Sequence, residues 1–183
     1  MDRLYELRAA YVLITSILLA GTPLVQAMDS LSIEAGSGNA TAFYQLAAQQ
    51  GWSNDWAWLN ENQLHTRWEM SVAEMAGKKF NNIEGQTQKL IDFGLTPSLR
   101  WGGKSSLGAY AEAGIGIHYL TEKYNNNGRA MGGNFQFGDY IGAGYLFNSH
   151  FDVTVKFEHF SDAGIRKPNP AINFAIVKLA YVF

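Results

Sequence analysis

Cysteine is absent from the 183 residues. That excludes a disulfide framework, a thiolate metal site and a cysteine nucleophile. No sign of charge dominates either. The 14 Lys and Arg against 16 Asp and Glu leave a net charge of −2, so no basic surface points to nucleic acid as a partner. Histidine is sparse and scattered, at His65, His118, His150 and His159. That spacing holds no metal ion, and nothing in the sequence implies a cofactor. Proline occurs only 4 times. Beyond the first 27 residues no apolar run is long enough for a membrane-spanning helix.

Glycine (19 copies) and aromatic residues (14%) are plentiful, a balance that suits twisted sheets better than a helical bundle. The chain opens with Arg3 and Arg8 ahead of the apolar stretch AAYVLITSILLAG, Ala9 to Gly21, followed by the small-residue exit Val25-Gln26-Ala27. This order reads as a secretory signal cleaved after Ala27, since the apolar run falls short of the roughly 20 residues that a span needs. The expected organisation is a signal peptide over 1–27 and one domain over 28–183.

Eight segments of that domain alternate with a period of two, near 30–37, 41–50, 64–75, 90–101, 107–119, 135–147, 150–161 and 172–183. In the fourth, Ile91, Phe93, Leu95, Pro97, Leu99 and Trp101 alternate with Asp92, Gly94, Thr96, Ser98 and Arg100. A soluble sandwich also alternates, so the placement of charge separates the two architectures. Glu34, Arg67, Glu69, Asp92, Arg100, Glu112, Lys156, Glu158 and Lys178 all share the faces opposite the apolar ones. Mixed charges can pair inside a side-chain-filled lumen, whereas a lipid-facing wall must be apolar. The fold expected is an all-β, eight-stranded antiparallel transmembrane β-barrel of the bacterial outer membrane. In the last segment Asn173, Ala175, Val177, Leu179, Tyr181 and Phe183 share one face, and the closing aromatic resembles the sorting signature of such barrels. Short turns at 38–40 and 148–150 are expected at the periplasmic end. Long connections at 51–63, 120–134 and 162–171 are expected outside, and 76–89 is longer than this pattern accounts for.

Parity then places His159 and Ser161 in the outward row that runs through Val153, Val155 and Phe157, at the outer end of the seventh segment. Two residues apart on a strand, they point the same way. An imidazole can take the hydroxyl proton and make Ser161 a nucleophile towards an ester. The plain alternative is a pair of polar residues at the membrane interface. His118 falls on the lumen face, where a packed, hydrogen-bonded histidine is expected.

The surrounding segment HFSDAGIRKPNPAIN, His159 to Asn173, resembles the lipid A 3-O-deacylase family (PagL-like), whose motif has the form H-x-S-N-A-G. FQFGDYIGAG, Phe135 to Gly144, and EAGIGI, Glu112 to Ile117, agree with it. The resemblance implies an outer-membrane serine esterase that removes the acyl chain at position 3 of lipid A or lipopolysaccharide, without a metal or cofactor. It implies Ser161 as nucleophile, His159 as base, and Ala163, Gly164 and Asn169 as oxyanion donors. Phe137 and Asp139 would support the site, and Arg166 and Lys167 could meet lipid A phosphates. The sequence departs from the pattern at Asp162, where the motif has Asn, and at Asn173, where the family pattern has a Glu. Asn173 shares the outward face with His159 and can orient the imidazole without neutralising its charge. Two other functions stay open at this point: a non-enzymatic structural or adhesive barrel, and another lipid-modifying barrel such as a phospholipase or acyltransferase.

Overall fold

The computed structural model describes residues 28–52, 57–102 and 107–183; the expected signal segment 1–27 lies outside them. Eight strands form the wall: β1 (Ser30–Gly38), β2 (Thr41–Gly51), β3 (Leu64–Gly77), β4 (Gln88–Trp101), β5 (Gly108–Leu120), β8 (Phe135–Leu146), β9 (Phe151–Ser161) and β10 (Ile172–Val182). Each pairs antiparallel with its neighbours and β1 closes on β10, giving a barrel without edges. A helix, α1 (Ala57–Glu61), precedes β3, and the short strands β6 (Asn125–Asn126) and β7 (Arg129–Ala130) form a hairpin after β5. The wall strands run 9 to 14 residues, against the roughly 9–11 that a tilted membrane strand needs.

Alternation becomes geometry along each strand. In β10, Asn173, Ala175, Val177, Leu179 and Tyr181 are exposed while Ile172, Phe174, Ile176, Lys178 and Ala180 are buried. Aromatic residues collect near both rims of the outer wall. Trp101, Tyr145, Phe147, Phe151, Tyr181 and Phe183 lie at one, and Tyr44, Tyr119 and Phe135 at the other, the girdle pattern of transmembrane barrels. Pro97 faces outward in β4, and the β4–β5 pairing lapses between Leu95 and Ser98 because proline has no N–H for the ladder.

The lumen has two storeys. One is ionic. Arg100 binds Glu112 at 2.8 Å and Asp152 at 2.9 Å, Lys156 binds Glu34 at 2.8 Å and Glu158 at 3.2 Å, and Lys178 bridges Glu69 and Glu112 at 3.5 Å each. His118 pairs with Asp92 at 2.8 Å. The other storey is apolar, built from Phe43, Met75, Leu90, Leu120, Tyr124, Phe160, Ile172 and Phe174. The sequence shows the ionic storey. It conceals the apolar one, because near the loops the inward residues are apolar while outward neighbours such as Lys89, His159, Ser161 and Asn173 are polar, the reverse of the rule in mid-wall.

One expectation is corrected. Connections alternate between the two ends, so the first, third, fifth and seventh share one end whatever their length. The 38–40 turn therefore sits with the loops 78–87, 121–134 and 162–171, and the 51–63 connection sits at the opposite end with β1's start. Hydrogen bonds between these segments agree. The Lys78 N–H donates to the Ala40 carbonyl, Asn81 N–H to the Asn125 carbonyl, and Gly132 N–H to the Pro168 carbonyl, at 3.0, 3.2 and 2.7 Å. At the opposite end Phe183 N–H meets the Asp29 carbonyl. The same count accounts for the long 78–87 connection: it is a loop of the 162–171 end. Length alone misplaced both the 38–40 turn and the 51–63 connection.

Candidate active site

His159 lies on β9 between two cross-strand neighbours, Asn173 on β10 and Asp139 on β8. All three project from the outer wall. The His159 Nδ1 and Asn173 Oδ1 atoms are 2.7 Å apart. An amide oxygen only accepts, so Nδ1 carries the proton, and in the neutral imidazole the lone pair is on Nε2. Ser161 is two residues further along β9, half-exposed, on the same face and directly across from Phe137. No hydrogen bond joins Ser161 to His159 among the described residues. A recess of about 410 Å³ opens beside the imidazole, lined by Asp139, Tyr140, Ile141, Phe157 and His159. A larger trough of about 760 Å³ crosses the apolar wall nearer the other rim, past Leu31, Ile33, Leu46, Met70 and Leu179. It lies away from the polar group.

The inner side of this wall holds the outer side in place. Phe160, between His159 and Ser161, points into the lumen and meets the His118 ring edge-on at 4.9 Å. The register pairs Phe160 with Gly138, the residue between Phe137 and Asp139. A Cβ at Gly138 would stand 2.6 Å from His118 Nε2, so only glycine lets β8 approach that ring. His118 is the packed, hydrogen-bonded lumen histidine that its parity predicted.

Beyond Ser161 the chain turns at once. Ala163 and Gly164 have φ of 55° and 80°, and Ile165 N–H donates to the Asp162 carbonyl at 3.1 Å, a type I′ turn that needs two left-handed residues. The buried Asp162 carboxylate accepts Gly164 N–H and Arg166 N–H, both at 2.9 Å. The Gly164 amide is therefore already used, which removes it from the donors expected for an oxyanion. Asn169 Oδ1 accepts the Asp162 N–H at 3.2 Å, leaving the Asn169 amide hydrogens and the Ala163 N–H as the remaining candidates. Arg166 and Lys167 are exposed on the loop. Arg129 was not singled out from the sequence, yet it clamps this loop through the Pro170 and Ala171 carbonyls.

These features define a class: a transmembrane β-barrel with a serine and a histidine turned towards lipid. The family model described as "Lipid A 3-O-deacylase (PagL)" matches residues 42–182. The chain belongs to the lipid A 3-O-deacylase (PagL) family, and it is an outer-membrane β-barrel protein. It is 26% identical over 147 residues to the lipid A deacylase PagL of Pseudomonas aeruginosa, covering 80% of this chain and 82% of that protein. It is 40% identical over 74 residues to the lipid A deacylase PagL of Bordetella bronchiseptica, a stretch covering 40% of each chain. A crystal structure of the outer membrane enzyme PagL superposes with a TM-score of 0.67 at 22% identity, over 84% of this chain and 99% of the other.

Proposed function

We infer that this protein hydrolyses the ester-linked acyl chain at position 3 of lipid A in the outer leaflet. The observation that carries the reading is the His159–Asn173 hydrogen bond on the lipid-facing wall. It fixes the imidazole in the tautomer of a general base, on the same face as Ser161. Ser161 Oγ attacks the ester carbonyl as its proton passes to His159 Nε2. Collapse of the tetrahedral intermediate returns that proton to the sugar oxygen and leaves an acyl-serine, which water hydrolyses to free fatty acid with His159 again as base. Asn169 and the Ala163 N–H donate to the oxyanion, each donor contributing on the order of 3 kcal/mol. Asn173 orients the imidazole without compensating its positive charge. Asp139, on the other flank of His159, brings a carboxylate to the same recess, and Phe137 packs across from Ser161. Arg166 and Lys167 meet the phosphates of the sugar headgroup.

The test is mass spectrometry of lipid A from cells expressing the wild type, Ser161→Ala and His159→Ala at matched levels of folded barrel. The wild type alone should remove one 3-hydroxyacyl chain. Unmodified lipid A in all three would favour a structural barrel, and a shortened phospholipid would favour a different acyl donor.

A further inference from the structure

A compact polar cluster surrounds Asp162, one residue past Ser161. Its side chain is turned inward, at 3% exposure. Four hydrogen bonds meet there. Oδ1 takes the Gly164 N–H, Oδ2 takes the Arg166 N–H, the carbonyl takes the Ile165 N–H, and the Asp162 N–H donates to Asn169 Oδ1. This pattern selects a carboxylate. Both side-chain oxygens face N–H donors, whereas an asparagine would turn its NH₂ group towards one of them. The left-handed Ala163 opposes the turn, because its Cβ crowds the following carbonyl, so the turn depends on such a clamp. The departure from the family motif at this position thus has its own hydrogen-bonding logic.

The cluster also decides which way Asn169 faces. With its oxygen committed to the Asp162 N–H, the two amide hydrogens of Asn169 are left for another acceptor. We propose that Asp162 is a positioning residue for the ester hydrolysis: its carboxylate holds the 162–166 turn so that the Asp162 N–H orients the Asn169 amide hydrogens towards the oxyanion formed beside Ser161. The role rests on the reading of Ser161 as the nucleophile.

Purified full-length barrels are assayed on lipid A in detergent micelles: wild type, Ser161→Ala, Asp162→Asn, Asp162→Ala, Asn169→Ala and the double variant Asp162→Ala/Asn169→Ala. Folding is checked by heat-dependent gel mobility. Asp162→Ala should lower kcat about 30-fold with KM within about twofold, the mark of an interaction felt in the transition state. Asp162→Asn keeps one of the two carboxylate bonds and should lose about fivefold; it carries the test if the alanine variant does not fold. In the Asn169→Ala background, Asp162→Ala should cost less than about threefold more, because two residues acting through one contact are not additive. Equal losses in both backgrounds, an unchanged kcat, or an effect confined to KM would overturn the role. Amide exchange gives a readout free of activity. Gly164 and Arg166 N–H should be protected in the wild type and exchange freely in Asp162→Ala; free exchange in the wild type would also overturn the role. A wild type as inactive as Ser161→Ala would sink the hydrolase reading itself. An active wild type with full-rate Asp162 variants would sink only the positioning role.

Discussion

The barrel carries polar residues on both sides of its wall, and the two sides treat them differently. Inside, the carboxylates of Glu34, Glu69, Asp92, Glu112, Asp152 and Glu158 each lie within 4 Å of a lysine, arginine or histidine nitrogen. Outside, His159 has the single neutral partner Asn173, and Ser161 has no hydrogen-bond partner among the described residues. Inside, each carboxylate is compensated by a cation within the sealed lumen, an arrangement that holds the structure together. The outward group leaves the His159 Nε2 and the Ser161 hydroxyl without a protein hydrogen-bond partner among the described residues. Its capacity is open to a molecule that arrives through the membrane.

The comparison breaks most visibly if the lumen is disturbed. Arg100→Met leaves Glu112 and Asp152 without their shared guanidinium, and it should destabilise the barrel by about 3–5 kcal/mol. Equilibrium unfolding in urea measures this. Rates per folded molecule should stay within about twofold, since distant sites act independently; a collapse in rate without loss of stability would mean the lumen takes part in the chemistry. Gly138→Ala tests the wall that joins the two sides. Its Cβ meets His118, so it should cost about 1–3 kcal/mol of stability and also slow the reaction by displacing Phe137 and Asp139. Thermal unfolding and initial rates read the two effects separately. The smallest change sharpens the outer side alone. Asn173→Glu supplies the carboxylate that the histidine lacks, and should raise the acyl-release rate about tenfold, or about 1.4 kcal/mol of barrier, with stability unchanged. No gain would place the compensating charge elsewhere, with Asp139 the nearest acid by strand register.

Most of the wall was legible because lipid imposes a strict rule on one face. β4 and β10 show their orientation residue by residue, and that parity alone puts His159, Ser161 and Asn173 outside. The apolar storey of the lumen was not legible, since Phe43, Leu90, Phe160 and Phe174 point inward where the outward neighbours Lys89, His159, Ser161 and Asn173 are polar, so near the loops the rule of apolar outside and polar inside reverses. Nor was the end of the barrel to which each connection belongs, as long as length was used in place of order. At the site, residue types and spacing pointed to His159 and Ser161 as the base and nucleophile proposed above. The use of the Gly164 amide was hidden because it depends on which way the Asp162 carboxylate folds back. A signal was present: Asp-Ala-Gly directly after a strand is turn chemistry, with an acceptor at the first position and glycine at the third.

The central claim is that the working polar groups face the lipid. A serine-reactive lipid phosphonate, incubated with the folded barrel in micelles and mapped by peptide mass spectrometry, tests it most directly. The account predicts one adduct, on Ser161, lost in Ser161→Ala and strongly slowed in His159→Ala. An unlabelled wild type, an adduct on another serine, or labelling indifferent to His159 would contradict it.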